Sequence, residues 1–360
     1  LTPGPIDCPI MHMDAYDYSE AKKVPTRQVL DFTLFSNPIG PSNKARHAMR
    51  KALKAVHLPP DRTARHLRRF IARKEQIDPG NILFGHGSTQ LLDLLMTALK
   101  PGRLLAPSPL PPRCLGLAER HGAAIVPFPL REDRQFSLDA EALLGSLEGI
   151  GAIVLPNPHP VTGTIIDLPT LDRVIGALAG SRTVLVIDEA LSGFAEVETP
   201  TAGAVRSANV LILRTFSFFF GLAGLRLGYA IGSREACNLV AGVIDPGPVN
   251  TVAAAGALAS LRDKGFPKRT AEFLASEKAY MTAKLARIEG IELIDRGCNF
   301  LLLAVRKSAA ELSGRFLKRN VLVGIFEEEG GKTYIPVPLR RRRENARFAR
   351  TLASVMAKDG

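Results

Sequence analysis

Between residues 81 and 231 short apolar runs alternate with stretches whose apolar residues recur at helical spacing. NILFGHGSTQLLDLLMTALK starts the pattern: an apolar strand, a Gly85-His86-Gly87-Ser88 turn, then Leu91, Leu92, Leu94, Leu95 and Leu99 along one helix. Strands are expected at 103–107, 124–128, 152–155, 183–188, 210–213 and 227–231, with helices at 113–121, 139–147 and 168–179. Such alternation predicts an α/β fold, its large domain a mainly parallel mixed sheet in a three-layer αβα arrangement. Sites in open parallel sheets lie at the carboxyl ends of strands, where Asp188 closes TVLVIDEA and Asn157 follows AIVLP.

The flanks read differently. Residues 1–42 predict an extended N-terminal arm ending in the Asn37-Pro38-Gly40-Pro41 turn formers, and helices are expected at 44–54 and 65–74. Beyond Asp245-Pro246-Gly247-Pro248 the pattern predicts one long helical tract over 251–288, strands at 300–305 and 321–326, and a terminal helix over 343–356. The domain expectation is therefore an arm (1–42), a large domain (43–245) and a smaller C-terminal α+β domain (246–360).

Composition narrows the partners. With 46% hydrophobic and 23% charged residues the chain can bury a large core. A net charge of +12 and the run Arg340 to Arg343 would suit an anionic partner, but no stacking aromatics interleave the run and the chain has no tryptophan. A solvated basic helix start is expected instead, with no nucleic-acid partner. Cys8, Cys114, Cys237 and Cys298 lie far apart, against a metal site or a disulfide framework. No apolar run is long enough to cross a membrane and no signal segment is visible, so the expectation is a cytoplasmic protein without a membrane partner. Glu327, Glu328 and Glu329 read as a solvated turn, and GLAGLRLG does not have the GxGxxG spacing of a dinucleotide site.

SNPIGPS, NILFGHGST, LPNPHPVTG, VLVIDEA, RTFSFFFGLAGLRLGY, CNFLLL and RRRENARFARTL occur in that order. Together they resemble the fold type I enzymes that use pyridoxal phosphate (PLP), class I/II aminotransferases, in their histidinol-phosphate aminotransferase and threonine-phosphate decarboxylase branch. The resemblance runs from about residue 30 to the C-terminus. It implies that Asp188 faces the cofactor's pyridine nitrogen, and that Gly87, Ser88, Thr89, Thr215, Ser217 and Arg226 hold its phosphate. Hydroxyls, helix-start amides and an arginine fork are the right chemistry for a phosphate.

The same resemblance exposes departures. Where the family carries the lysine that bonds the cofactor, the residue after Ser217 is Phe218, which can neither condense with an aldehyde nor move a proton. No catalytic residue is therefore assigned. Pro160 stands where an asparagine would meet the cofactor ring, and Pro336 where an arginine would bind a substrate carboxylate. Pro111, Pro59 and Phe35 stand where a stacking aromatic, a tyrosine from a neighbouring subunit and an asparagine are expected. The leading expectation is a degenerate, non-catalytic or non-transaminating protein that binds a phosphorylated small molecule, with PLP or pyridoxamine phosphate (PMP) held non-covalently or no cofactor at all. The alternative is an active aminotransferase or decarboxylase with another base: His86 or His159, each otherwise a turn histidine facing solvent, or a lysine from Lys22, Lys23 or Lys332, each otherwise a surface lysine. A homodimer is expected, or a heterodimer with an active relative.

Overall fold

The computed structural model describes residues 14–243, 249–327 and 331–357. Asp245 to Pro248, Cys8, Glu328 and Glu329 lie outside the described residues. Thirteen strands are present among the described residues: β1 Leu30–Phe32, β2 Ile82–Gly85, β3 Arg103–Ser108, β4 Ala124–Pro129, β5 Ala152–Pro156, β6 Val184–Asp188, β7 Val210–Thr215, β8 Gly228–Ile231, β9 Ile291–Ile294, β10 Phe300–Val305, β11 Val321–Val323, β12 Phe326–Glu327 and β13 Thr333–Pro338. The chain forms two compact units, one of residues 39–160 and 164–270, the other of residues 1–38, 161–163 and 271–360.

In the first unit seven strands form a sheet in the order β2-β8-β7-β6-β5-β3-β4. β4, β3, β5, β6 and β7 run parallel, while β8 is antiparallel to both β7 and β2. Strands covered on both faces read as continuous apolar runs rather than alternating ones, and β5 and β6 are buried along their whole length. One face packs Leu104, Val154, Val186 and Leu213 against Leu91, Leu95, Leu117 and Val240 from helices Gly87–Leu99, Pro112–His121 and Arg234–Ala241. Leu105, Ile153, Leu185, Ile187 and Ile212 are equally buried. At roughly 1.5–3 kcal/mol for each fully buried aliphatic chain, these two layers are the main stabilising feature of the unit.

The second unit carries the four-stranded antiparallel sheet β12-β13-β10-β9 and the parallel pair β1-β11. Here the arm departs from expectation. It is not simply extended: Ala15–Lys22 is a helix, capped by the Asp14 carboxylate, which accepts from the Tyr16 and Asp17 amides. Tyr18 is buried and donates its hydroxyl hydrogen to the Leu317 carbonyl at 2.6 Å. The single helical tract expected over 251–288 is likewise two helices, Thr251–Arg262 and Phe266–Leu285. The break falls at Asp263, whose carbonyl accepts from the Phe266 amide and whose carboxylate receives Arg269 at 2.9 Å. Gly265 and Pro267 beside it are stop and start signals.

Candidate functional site

The residues singled out as a phosphate grip come together at one edge of the seven-stranded sheet. Gly87, Ser88 and Thr89 form the first turn of helix Gly87–Leu99, directly after β2, so their amides lie at the positive end of the helix dipole. Thr215 ends β7, and its hydroxyl lies 2.9 Å from that of Ser217 and 3.1 Å from the Ser217 amide, which donates to it. β8 then returns antiparallel beside β7, pairing Gly228 with both Thr215 and Gly85.

Two backbone features make this approach possible. A methyl at Gly228 would sit against the Ser88 nitrogen and 2.7 Å from the Gly87 carbonyl carbon, so only glycine lets the two segments close. Gly87 has φ +77°, and a methyl there would lie 3.1 Å from an Arg226 guanidinium nitrogen. Arg226 is itself held at φ 51° with an exposed side chain. A bulky residue in the left-handed region is strained, and such strain concentrates at ligand sites.

Asp188 ends β6 and is 7% exposed. Both of its oxygens have partners within the chain: Oδ1 accepts from the Ala190 amide at 3.2 Å, and Oδ2 receives Arg113 Nη1 at 2.5 Å. Arg113 was not singled out by the sequence reading. It lies in the first turn of helix Pro112–His121, after β3. A cation at that end of a helix opposes the dipole and calls for a carboxylate, which was the legible signal. Arg113 Nε and Nη2 are buried without hydrogen-bond partners.

Other candidates are internal. Asn157 is fully buried, with Oδ1 accepting from the Ile166 amide at 2.9 Å and Nδ2 donating to the Ile166 carbonyl at 3.2 Å. It pins a loop rather than facing a ligand. His159 does not face solvent, the structural reading first given to it, but is 1% exposed. Burial lowers its pKa to about 4, partly opposed by its bond to the Pro107 carbonyl. It is neutral near pH 7. His86 is exposed, and its amide donates to Gln90 Oε1 at 2.8 Å.

Pro111 is buried at the start of helix Pro112–His121, Pro160 is half-buried and Pro59 exposed. In the other unit Pro336 is buried in β13, and Phe35 packs edge-on against Phe300 with ring centres 5.2 Å apart. Lys22 and Lys23 are exposed, and Lys332 pairs with Glu292 at 2.9 Å. The sequence between Lys100 and Lys264 contains no lysine. Phe218 is half-buried, and its carbonyl accepts from the Gly221 amide at 3.1 Å. Beside it Phe216, Phe219, Phe220 and Phe266 form a ring cluster with centres 5.1–6.4 Å apart.

Behind the edge lies a buried charge cluster. Arg214 contacts Glu189 at 2.8 Å, Glu75 at 2.8 Å and the Thr199 hydroxyl at 2.9 Å. Burial raises the Glu189 pKa, with Arg214 opposing the shift. Among the described residues no group of His, Cys, Asp and Glu could hold a metal ion. No helix of the described chain is long and apolar enough to cross a membrane.

Residues 30–330 match the family model for aminotransferase class I and II. The chain belongs to this family. It is 32% identical over 324 residues to histidinol-phosphate aminotransferase of Symbiobacterium thermophilum, covering 89% of this chain and 88% of that protein. It is also 32% identical over 326 residues to the enzyme of Methylobacillus flagellatus, covering 89% and 87%. Among solved structures, histidinol-phosphate aminotransferase of Sinorhizobium meliloti in complex with pyridoxal-5'-phosphate superposes with a TM-score of 0.85 at 20% identity, covering 99% of this chain and 98% of that one. L-threonine-O-3-phosphate decarboxylase of Porphyromonas gingivalis gives 0.75 at 22% identity, covering 92% and 100%. Both structures share the fold type I architecture expected from the motifs.

The family implies PLP, and the residues fit it only in part. The phosphate end fits: helix-start amides, two hydroxyls and an exposed arginine converge around glycines that admit close approach. The ring end does not. Asp188 already holds a guanidinium, and the segments around it carry no amine that could bond an aldehyde.

Proposed function

We propose that this class I/II aminotransferase relative is a non-transaminating protein that binds a phosphorylated small molecule. The observation that carries the reading is the lysine-free stretch between Lys100 and Lys264, which includes every segment of the carboxyl edge from β3 to β8. The family resemblance puts Phe218 at the lysine position. A phenyl ring supplies neither a nucleophile nor a base.

The chain's own residues account for the binding step. The amides of Gly87, Ser88 and Thr89 donate to phosphate oxygens at the helix start. The Thr215 and Ser217 hydroxyls add neutral donors, and the Arg226 guanidinium adds a planar charged fork. The buried Arg214 cluster lies at the carboxyl end of β7, beside the Thr215 of the grip.

Titration of inorganic phosphate by calorimetry tests the reading, with binding expected for the native chain and an affinity loss of about tenfold or more for Arg226→Ala. Mixing the native chain with PLP should leave its mass and the visible spectrum of free PLP unchanged. A single stoichiometric lysine-linked adduct after borohydride reduction, blocked by excess inorganic phosphate, would sink the proposal.

One observation favours a second reading, an active transaminase or decarboxylase that uses another base: the relatives at 32% identity are named histidinol-phosphate aminotransferase. Conversion of PLP to PMP in the presence of histidinol phosphate would establish it.

A further inference from the structure

We propose that Arg113 is a built-in counter-ion that holds the place of the cofactor's pyridinium on Asp188, so that the site discriminates against PLP and PMP in favour of phosphates without a ring cation. The inference rests on the reading that Asp188 is the family's pyridine-nitrogen carboxylate.

The geometry leaves little room for a second cation. Arg113 Nη1 lies 2.5 Å from Asp188 Oδ2, the Ala190 amide takes Oδ1, and the carboxylate is 7% exposed. Helix Pro112–His121 fixes the arginine through its first turn, where Pro111 and Pro112 set the backbone and Cys114 and Leu117 are buried against the sheet. The pair is thus anchored on two rigid elements, β6 and this helix. A pyridine ring gains from a carboxylate beneath it only by keeping its nitrogen protonated. Here that charge would meet a guanidinium already in contact. Two cations competing for one carboxylate in a desolvated place repel each other, and arginine cannot relieve the repulsion by losing its proton.

The ion pair also has a structural use. An arginine in the first turn of a helix is disfavoured by the dipole, and a buried aspartate without a cation is costly. Each offsets the other's penalty. The aspartate therefore has its cation in the absence of any ligand, unlike the family arrangement, in which that cation arrives with the cofactor.

Calorimetry on the full native chain with PLP and with phenyl phosphate, which has a ring but no ring nitrogen, reads the inference directly. PLP should bind at least about threefold more weakly than phenyl phosphate, and PLP binding equal to or tighter than that would overturn it. A second series asks the question covalently, in a Phe218→Lys background. Phe218→Lys alone should form little visible lysine-bound pyridoxal. Adding Arg113→Leu, or Arg113→Gln if the leucine variant does not fold by circular dichroism, should tighten PLP at least about tenfold, and adding Asp188→Asn should abolish the gain. Equal PLP capture with and without Arg113 would refute the role. If the native chain binds neither phenyl phosphate nor inorganic phosphate, the phosphate grip itself is wrong, and the covalent series still decides Arg113.

Discussion

His159 shows how much one side chain's surroundings decide. A histidine in a Pro-rich turn reads as a solvent-facing group or a base, yet burial depresses its pKa from 6.5 to about 4. The unfolded chain therefore binds a proton between about pH 6.5 and pH 4 that the folded chain refuses, so stability contributed by the neutral ring is complete above 6.5 and is lost as pH falls toward 4. Urea unfolding of the native chain should weaken across that window by an amount on the order of 3 kcal/mol, and His159→Phe should flatten the slope. Arg214 is the opposite case, a charge that must be present. Its contact with Glu189, whose side chain is 0% exposed, predicts that Arg214→Met destabilises by about 3–5 kcal/mol in the same assay, because a buried carboxylate is left without a cation.

At the scale of elements, the strand-turn-helix junction at Gly85 to Thr89 and the β7–β8 hairpin act as one device, since Gly228 lets one pack on the other. Gly228→Ala should cost about 1–3 kcal/mol by overpacking and should weaken phosphate binding in calorimetry, whereas an alanine at the exposed Gly224 should do neither.

These elements were legible because burial on both faces writes a strand such as VLVID as an unbroken apolar run. Strands Ile291–Ile294 and Thr333–Pro338 were harder to read: the first is only four residues with a polar second position, and the second carries two prolines. Helix Ala15–Lys22 was not legible at all. AYDYSEAK has no amphipathic stripe, and what holds it is one buried tyrosine whose partner lies 299 residues away. Arg113 escaped for a related reason, since its role depends on a carboxylate brought beside it only by the sheet order β3-β5-β6. A local window cannot contain such a pairing.

For the whole molecule, charge and fold bear on different questions. The net charge of +12 is partly engaged internally: Arg340 pairs with Glu344 at 3.2 Å, Arg342 pairs with Glu277 at 3.0 Å and lies 4.1 Å over the Tyr280 ring, and Arg347 donates to the Gln28 carbonyl. Raising the ionic strength from low to physiological should therefore shift the unfolding midpoint little, measured by differential scanning calorimetry. Screening weakens exposed pairs of small worth and relieves self-repulsion at the same time.

The parallel pairing of β1 with β11 joins residue 30 to residue 321. On a ribosome adding 5–20 residues per second, the apolar Leu30 and Phe32 wait roughly 15–60 seconds for Val321 and Val323 to emerge. Residues 39–160 and 164–270, which form a unit of their own, are all synthesised before Val321. Strand β13 emerges later still to pair with β10 and β12, and a nascent chain stalled before Val321 would display Phe32 without its native neighbours Val323 and Phe348, in the form that chaperones and proteases recognise as unfinished.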